Sequence, residues 1–410
     1  MKHSEIKECP ITGDNNPVKY FDLGNIPLVN NLSSTKEESL KAEKFKLNIN
    51  YYIQSGLSSL DFAADSELLF SHYLFKSGVN IPYYKHCKSM FLFIENYITI
   101  KNGTKIVDIG GNDGTLLDAF RSQTDRKLNI LNIDPSKNLT EICESKGIPT
   151  INDFFTIELS NKIDDKFDIV TSTNVFQHLK DINSFAQGVE NILSDDGVWI
   201  LEFPYWIHDM KTNQFDQIYH EHMYYHSIKP MRLMMIKHRM KIVNITKQNI
   251  HGGTLRLVIC KESSQLKEDF TVECFLQFEK NYGLEYHIEW GIKIKDQIEK
   301  SKSFIRNLKS DGNIIYGFGA AAKGCIYLNS MGLTDIDIEY IIDDTDIKQG
   351  KFVPGTGIEI VSREILTKKK PDYILILAHN FADYIMDSLK NEYGGEFIVL
   401  LPEIKIIKSI

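Results

Sequence analysis

Apolar and polar positions follow two alternating periods along most of the chain. From about Met90 onward, "SMFLFIENYI" has the spacing of a helix, "TKIVDIG" is a short apolar run typical of a buried strand, "LLDAFRS" is again helical, and "LNILNID" is a second strand. "DIVTSTNVF" and "GVWILEFPY" predict later strands, with a helix over "INSFAQGVENIL" between them. Because strands that alternate with helices form βαβ units, the pattern predicts a parallel sheet.

The same alternation returns near the end of the chain. After the polar stretch "KESSQLKED", an amphipathic pattern from about Phe270 to Leu308 predicts a connecting helix, and new strands are predicted at "NIIYGF", "IEYIIDD", "DYILILAHN" and "EFIVLLPE". The first 65 residues contain turn signals at "ITGDNNP" and "LGNIP" and little helical periodicity. We therefore expect a small irregular N-terminal subdomain at 1–65, an α/β domain at 66–262, and a second α/β domain with its connecting helix at 263–410.

Composition narrows the classes of partner. A chain of 410 residues with 42% hydrophobic and 25% charged residues should fold fully. The net charge of -8 and the lack of a Lys/Arg block argue against nucleic acid, and no run of eighteen apolar residues predicts a membrane span. Its 6 cysteines form no CxxC pair, so we expect neither a disulfide framework nor a closed zinc site, and a cytoplasmic location. The oligomeric state stays open, a monomer included.

A glycine loop follows the first predicted strand in "IVDIGGNDGTLLDAF". Glycine lets the backbone turn sharply and approach a ligand closely at the carboxyl edge of a parallel sheet. Asp108 ends the strand, where a carboxylate can meet a cationic amino-acid group, and Asp134 ends the next strand, where it can accept both ribose hydroxyls. A doubly wound protein with a plain glycine turn is the alternative.

That pairing resembles the class I S-adenosylmethionine (SAM) methyltransferases. The resemblance implies SAM as cofactor, with these candidate binding residues: Asp108, Gly110, Gly111, Asn112, Gly114, Asp134 and Asn174. The stretch "NDFF" at 152–155 can wrap the adenine, with Asp153 facing its amino group and Phe154 beside it; a pair of core aromatics is an equal alternative.

Several stretches, in order, are similar to the sugar C-methyltransferases that act on nucleotide-linked 4-ketohexoses. They are "FDLGNIPLVNNL", "STNVFQHLKD", "LEFPY", "IYHEHMYYHS", "HGGTLR", "GFGAAAKG" and "IIDDTDIKQGKFVPGTGIEI". The resemblance spans nearly the whole chain. It implies a class I SAM methyltransferase (Rossmann-like) domain, a second C-terminal Rossmann-like domain, a nucleotide-diphosphate sugar as substrate, and C-methylation, at C3, for branched-sugar or surface-glycan biosynthesis.

One feature departs from that family, whose N-terminal subdomain carries two CxxC pairs that hold structural zinc. Here Cys9 is followed at the matching position by Thr12, and the later pair falls on Tyr52 and Ser55. A single thiolate cannot build a tetrahedral site, so we predict no zinc and expect apolar packing in its place.

The segment "QIYHEHMYYH" at 217–226 concentrates acid/base chemistry. A sugar carbon becomes nucleophilic only when a base removes the proton next to a ketone and a donor holds the enolate oxygen, and neutral His and Tyr suit these tasks. The resemblance implies catalytic roles for Tyr219, Glu221, His222, His178 and Tyr73. We favour His222 as base over Tyr219, with Tyr219 and His178 stabilising the enolate or holding the sugar, and Glu221 orienting a partner or binding a hydroxyl.

The histidines of this segment could also bind a metal ion or serve as ordinary structural residues. His220, His222 and His226 can in principle ligate a metal, but their spacing suits a helix poorly and no cysteines lie nearby. His220 and His226 are more simply explained as ordinary hydrogen-bonded histidines. No metal is therefore predicted.

A second glycine loop opens the last domain. "IIYGFGAAAKG" can bind a pyrophosphate at a helix N-terminus, and it departs from the dinucleotide fingerprint of an NAD site. The resemblance implies that this domain binds the nucleotide diphosphate of the sugar. The candidate substrate residues are Gly317, Gly319, Lys323, Asp344, Lys348, Pro354, Gly355, Asn380 and, in "HGGTLR", Arg256. Turn formation, or a strand end at the domain seam for Arg256, is the alternative role.

Two other functions stay open at this point. The first is SAM-dependent O-methylation of a sugar or glycan precursor, which needs a base but no ketone. The second is a non-catalytic regulator that binds SAM or a nucleotide.

Overall fold

The computed structural model describes residues 4–63, 78, 81–250 and 252–408. Within those ranges the strands form sheets of four, seven and six strands and one two-stranded pair, β1 (Ser4–Glu5) with β5 (Phe62–Ala63). Helices pack on the two larger sheets, so the predicted α/β class is confirmed. No helix in the described ranges is long and apolar enough to cross a membrane.

The N-terminal part has more regular structure than the sequence pattern predicted. Its antiparallel sheet contains β2 (Val18–Pro27), β3 (Lys44–Tyr51) and β4 (Ser58–Leu60), with helix α1 (Lys36–Leu40) between β2 and β3. The sequence of β3, "KFKLNINY", alternates polar and apolar residues strictly, which is the pattern of a half-buried strand. The fourth strand, β11 (Tyr224–Tyr225), comes from the histidine segment far along the chain.

The seven-stranded sheet forms the first α/β domain. Its strands are β6 (Lys105–Ile109), β7 (Asn129–Ile133), β8 (Thr150–Ile151), β9 (Phe167–Thr173), β10 (Leu193–Pro204), β12 (Met240–Gln248) and β13 (Thr254–Lys261). The spatial order is β12-β13-β10-β9-β6-β7-β8. Numbered along the chain this is 3-2-1-4-5-7-6, and its seventh strand, β13, pairs antiparallel with both neighbours. The expectation of a parallel sheet therefore holds except at β13.

Helices cover both faces of this sheet. They are α2 (Ile81–Ile94), α3 (Thr115–Arg121), α4 (Lys137–Ser145), α5 (Ile157–Ser160), α6 (Ile182–Ile192), α7 (Trp206–Lys211) and α8 (Ile228–Lys237). Helix α6 begins where the Asp181 side chain accepts a hydrogen bond from Ser184 N, as expected of an N-cap. Helix α2 starts earlier than predicted, because the helix includes "IPYYKHCK" ahead of the strongest apolar run.

The predicted connecting helix is two helices, α9 (Phe270–Glu279) and α10 (Leu284–Ser310). In α10 the residues His287, Trp290, Gly291, Ile294, Ile298, Ser301 and Ile305 are buried at helical spacing, so one stripe faces the core. A Cβ at Gly291 would lie 2.4 Å from Tyr20 O, and its absence lets the helix approach β2 closely.

The six-stranded sheet forms the C-terminal domain. Its strands are β14 (Ile315–Phe318), β15 (Tyr340–Ile342), β16 (Glu359–Val361), β17 (Tyr373–Ile376), β18 (Glu396–Val399) and β19 (Lys405–Lys408), and its helices are α11 (Ala322–Met331), α12 (Ile365–Lys368) and α13 (Ala382–Leu389). The order β16-β15-β14-β17-β18-β19 is the doubly wound order 3-2-1-4-5-6. A ligand crevice is expected where the order reverses, between β14 and β17.

Candidate active site

A cleft of about 920 Å³ lies between the two α/β domains. On one side it is lined by residues that follow β6, β7 and β9, and on the other by residues that follow β14, β15 and β17. Asn30 and Leu32 of the N-terminal part close a third side. The cleft thus lies at the carboxyl ends of the parallel strands of both sheets, where α/β proteins bind ligands.

The first glycine loop forms part of the cleft wall. Gly110 has φ 71°, and a Cβ there would lie 2.3 Å from Val175 Cγ2. At Gly111 a Cβ would lie 2.1 Å from Asn132 Oδ1. Both residues line the cleft. A side chain at either position would collide with packed neighbours, and glycine lets the backbone itself approach a ligand in the cleft closely.

The two acidic strand ends have different positions. Asp134 lines the cleft, and its carboxylate oxygens accept hydrogen bonds from Asn112 N at 2.9 Å and Ser136 N at 2.8 Å. Asp108 is outside the lining; it lies beneath Gly111 and accepts a hydrogen bond from Thr171 Oγ1 at 2.7 Å. Burial raises the pKa of Asp108 to about 7. Asp108 therefore lies beneath the loop, and Asp134 is the one of the two acids that lines the cleft.

The remaining cofactor candidates also divide between the cleft and its surroundings. Asn112, Phe154 and Asn174 line the cleft, whereas Asp153 is exposed and accepts a hydrogen bond from Phe154 N at 2.8 Å. Gly114, with φ 74°, is the N-cap of α3. A carboxylate placed for ribose hydroxyls, a side-chain-free loop and an aromatic residue fit the nucleoside and amino-acid parts of SAM.

The histidine segment is not helical, which explains its unusual spacing. A 3-10 turn, Phe215–Gln217, leads into an irregular stretch that ends in β11 against β4. His220 Nε2 lies 3.3 Å from Phe45 O, and His226 packs at 5.1 Å from Phe176 and 5.4 Å from Phe203 between ring centroids. Neither lines the cleft. In the part of the chain that the structure describes, no group of three His, Cys, Asp or Glu residues is arranged to hold a metal ion.

Tyr219 and His222 form a hydrogen-bonded pair in the cleft. His222 Nδ1 lies 2.9 Å from Gln217 O, and since a carbonyl oxygen only accepts, Nδ1 carries the proton. His222 Nε2 must then accept from Tyr219 Oη, 2.6 Å away. Burial lowers the pKa of His222 well below its ordinary value, so the imidazole is neutral near pH 7. The hydrogen bond aims the basic nitrogen of His222 at the Tyr219 hydroxyl.

His178 and Glu221 complete the predicted cluster. His178 Nδ1 donates to Glu221 O at 2.7 Å, and burial lowers the pKa of His178 to about 4. Its Nε2 is therefore an acceptor near neutral pH. Burial raises the pKa of Glu221 to about 7, although its Oε1 accepts a hydrogen bond from Asn30 Nδ2 at 2.6 Å. Tyr73, the fifth catalytic candidate, lies outside the described residues.

The substrate candidates of the C-terminal domain are only partly in the cleft. Lys323, Lys348 and Asn380 line it. Gly317, Gly319, Asp344, Pro354 and Gly355 do not: the first two allow close packing on Leu377 and Ala378, Asp344 pairs with Arg363, and Gly355 N donates to Ser39 O of the N-terminal part. Their turn and packing roles are the ones that the structure shows.

Arg256 pairs with an internal anion. Its Nε donates to Glu202 at 2.6 Å, and His86 Nε2 lies 2.8 Å from the other carboxylate oxygen of Glu202. Arg256 and Glu202 are both almost fully buried, and Arg256 does not line the cleft. The interpretation of Arg256 as a substrate-binding residue is therefore replaced by a structural one.

Sequence reasoning missed several cleft residues. Asn30 stands in the quoted stretch "FDLGNIPLVNNL", yet nothing in its spacing linked it to Glu221. Lys180 is an exposed cation in the lining, and Tyr83 reaches the cleft with its hydroxyl 2.8 Å from Thr173 Oγ1. These contacts join segments that are far apart along the chain, and no local pattern signals them.

Tyr52 and Ser55, which correspond to zinc-binding cysteines in the family that the sequence resembles, lie near Cys9. Cys9 Sγ lies 3.2 Å from Ser55 Oγ, and the backbone of Tyr52 pairs with Leu57 in the same turn. Cys9, Tyr52 and Leu57 are buried. The replacement of zinc by apolar packing and the lack of zinc both stay predictions.

Two family models and one curated relative match this chain. A model of the methyltransferase domain family matches residues 84–239, and a model of the C-methyltransferase C-terminal domain family matches residues 249–402. The curated C-methyltransferase NovU from Streptomyces niveus is 29% identical over 98% of this chain and 97% of its own.

Solved structures match less than half of this chain. Magnesium protoporphyrin IX methyltransferase ChlM from Synechocystis PCC 6803, solved with bound SAM, is 11% identical and covers 45% of this chain and 81% of its own, with a TM-score of 0.34. YcgJ from Bacillus subtilis is 14% identical and covers 43% and 97%, with a TM-score of 0.33. The family matches and the full-length relative confirm the resemblance drawn from the sequence: the chain is a methyltransferase that uses S-adenosylmethionine as methyl donor, and it is similar over nearly its whole length to a C-methyltransferase.

Proposed function

We propose that the protein transfers a methyl group to the ring carbon beside the ketone, C3, of a nucleotide-linked 4-keto-deoxyhexose. Three observations support this: the sequence resemblance to sugar C-methyltransferases, the full-length similarity to NovU, and a cleft between the two domains that has acid/base residues at its centre. The product would serve branched-sugar or surface-glycan biosynthesis.

The observation that carries the proposal is the Tyr219–His222 pair. A ring carbon can attack a methyl group only after its proton has been removed, and the neighbouring ketone makes that proton acidic. Because His222 Nδ1–H is fixed on Gln217 O, the basic Nε2 can take a proton from Tyr219 Oη. Tyr219 is the less buried of the two residues.

In this scheme the Tyr219 oxygen takes the substrate proton while its own proton passes to His222 Nε2. His222 then becomes an imidazolium, and the electron pair from the broken C–H bond moves into the enolate. The geometry thus favours Tyr219 as the group that meets the sugar and His222 as the base behind it, which refines our expectation of His222 acting alone. The arrangement follows the logic of a hydroxyl activated by a histidine.

Glu221 and His178 are proposed to hold the oxygens of the sugar. Protonated Glu221 can donate to the ketone oxygen, where negative charge develops, and its pKa of about 7 keeps a fraction protonated at neutral pH. His178 can accept from a sugar hydroxyl through Nε2.

The first domain binds the cofactor beside this cluster. When bound, SAM supplies an electrophilic methyl group on a positively charged sulfur. Asp134 would accept its ribose hydroxyls, the loop at Gly110 and Gly111 would pass along its amino-acid part, and Phe154 would contact its adenine. Holding the two reactants in line is itself a large share of the rate enhancement.

The C-terminal domain is proposed to bind the nucleotide diphosphate. Lys348 and Asn380 line the cleft at the carboxyl ends of β15 and β17, and Lys180 brings a further cation from the first domain. Lys348 Nζ also bonds to Ala320 O at 2.9 Å, which places it at the start of α11.

A panel of nucleotide-linked 4-keto-deoxyhexoses, incubated with SAM and analysed by mass spectrometry and NMR, tests the proposal. We expect a mass gain of one methyl group on a carbon. A methyl ether would establish O-methylation instead, and no SAM consumption with any sugar would favour a binding protein without catalysis.

A further inference from the structure

Four ionisable side chains meet at the seam between the two α/β domains. Asp209 on α7 and Asp216 in the Phe215–Gln217 turn come from the first domain, and Lys323 on α11 and His379 come from the C-terminal domain. We call these four residues the seam cluster. Asp209 and Asp216 are 1% and 0% exposed, so the two acids are removed from water.

The contacts within the seam cluster are electrostatic. His379 Nδ1 lies 3.2 Å from Asp216 Oδ2. The Lys323 ammonium is also buried and, among the described residues, has no hydrogen-bond partner. Buried charges are tolerated only when opposite charges lie near them. The Lys323 ammonium and the His379 imidazole of one domain therefore lie near the carboxyl groups of the other.

The protonation of the two acids follows from this arrangement. Burial alone would raise the pKa of Asp216, but the charges of His379 and Lys323, together with hydrogen bonds, outweigh burial and lower that pKa. For Asp209 burial dominates, and its pKa is raised well above the ordinary value. Asp216 is thus the ionised member, and Asp209 is the neutral one.

The turn that carries Asp216 also carries the carbonyl that orients His222. Gln217 O accepts the Nδ1–H of His222, and the Phe215 ring packs 5.0 Å from the ring of Tyr327 on α11. The C-terminal domain therefore contacts this turn through both the His379–Asp216 pair and an aromatic pair. Asp216 is one residue away from Gln217, whose carbonyl fixes the His222 tautomer.

We propose that the seam cluster positions the catalytic pair: the pairing of Asp216 with His379 and Lys323 holds the Phe215–Gln217 turn, so that the Gln217 carbonyl keeps His222 aimed at Tyr219. The C-terminal domain then contributes to proton transfer as well as to substrate binding. Lys323 acts here as a buried counter-ion, which is a different role from the diphosphate ligand that the sequence resemblance implied. The catalytic part of this inference rests on the proposed function; the orientation and charge of His222 do not.

One consequence can be measured without any substrate. Burial is the main cause that lowers the pKa of His222, and His178, Lys323 and His226 lower it further by charge. Removing the positive charge of Lys323 should therefore raise the pKa of His222. Lys323→Arg keeps the charge and should leave that pKa close to the wild-type value.

NMR titration of histidine-labelled full-length protein is the first test, with the His222 signal assigned through His222→Asn. We expect Lys323→Met to raise the pKa of His222 by about 0.5 or more, with Lys323→Arg showing under half of that change. Lys300→Met, the same substitution at an exposed position of α10, is the control. An unchanged His222 pKa in Lys323→Met would overturn the proposal.

Steady-state kinetics with a 4-keto sugar that the wild-type protein methylates is the second test. We expect Asp216→Asn to lower kcat by about 10- to 100-fold with KM for the sugar within about threefold, because the base is misoriented while the binding groups remain. Asp209→Asn, the same change at a protonated acid, should lower kcat less.

Two kinetic outcomes oppose the proposal. If folded Asp216→Asn protein keeps the wild-type kcat, or if the two Asp variants behave alike, the cluster does not position the base. If wild-type protein methylates no keto sugar, the proposed function fails, and the NMR titration still decides the electrostatic part. If Asp216→Asn does not fold, Lys323→Met and Lys323→Arg take its place in the same comparison of kcat with KM.

Discussion

In the proposed reaction, the hydrogen bond from Tyr219 to His222 gives the two residues different tasks. His222 has both ring nitrogens engaged, Nδ1 with Gln217 O and Nε2 with Tyr219 Oη, so a proton from the substrate reaches it most directly through the tyrosine. The sequence placed both side chains in one segment and left open which is the base. The tautomer of His222 is set by the carbonyl of Gln217, five residues earlier in an irregular turn, and no sequence pattern predicts that geometry.

Glu221 provides a prediction on pH. If its carboxylic acid donates to the ketone oxygen, kcat/KM should fall as pH rises through about 7, because burial raises the pKa of Glu221 to about 7 and the carboxylate cannot donate. In Glu221→Gln the amide donates at any pH, so this fall should vanish while lower activity remains. A pH profile of both proteins measures this.

The profile also has an outcome that contradicts the assignment. An identical fall near pH 7 in Glu221→Gln would show that another group causes it. Activity that instead rises through pH 7 in the wild type would mean that the ionised carboxylate is required.

At the scale of elements, the glycine loop after β6 and the ends of β7, β14 and β17 could be predicted from the sequence. Apolar runs followed by glycine or acidic residues indicate strand ends at a ligand edge. The pairing of β11 with the N-terminal sheet, and the antiparallel direction of β13, could not, because strand partners far apart in sequence are set by tertiary packing. Asp108 and Arg256, both expected to contact a ligand, lie outside the cleft lining and pair with buried neighbours, Thr171 and Glu202.

Gly111 gives a prediction for the loop. Gly111→Ala adds a Cβ that would lie 2.1 Å from Asn132 Oδ1 and 2.6 Å from Asp108 Oδ2, so the loop must shift. We expect SAM affinity to fall by about tenfold or more, measured by calorimetry, since close backbone approach is lost.

Gly103→Ala is the matched control for this experiment. Gly103 has φ 85°, and a Cβ added there would have no atom within 4 Å, so the change strains the backbone by about 1 kcal/mol without reaching the cleft. SAM affinity should stay at the wild-type value. Wild-type affinity in Gly111→Ala would remove the loop from the cofactor site.

The buried Arg256–Glu202 pair predicts a stability effect. It joins β13 to β10, and His86 of α2 shares the same carboxylate. Arg256→Met would remove the arginine counter-ion of the buried Glu202 carboxylate. We expect a loss of about 3–5 kcal/mol in the free energy of unfolding, measured by urea denaturation.

An exposed ion pair serves for comparison. Arg126 and Glu95 lie 2.7 Å apart with side chains 44% and 34% exposed, and Arg126→Met should cost about 1 kcal/mol or less. Equal losses in the two variants would show that the buried pair has no special structural weight.

On the scale of the whole molecule, three parts of the chain converge on one cleft. The first domain brings the cofactor loop and the Tyr219–His222 pair, the C-terminal domain brings Lys348 and Asn380, and the N-terminal part brings Asn30. The order of the domains was predicted from two separate strand and helix patterns, and the two family models match residues 84–239 and 249–402. That the cleft lies between them follows only from how the sheets face each other.

Solvent hydrogen exchange tests the central claim most directly. A 4-keto nucleotide sugar in D₂O, with S-adenosylhomocysteine in place of SAM, should lose the NMR signal of its C3 proton when wild-type protein is added. His222→Asn should slow this exchange by about 100-fold or more while SAM binding stays normal. His220→Asn, at a neighbouring position outside the cleft lining, is the control and should exchange at the wild-type rate. Exchange at the wild-type rate in His222→Asn would contradict the account.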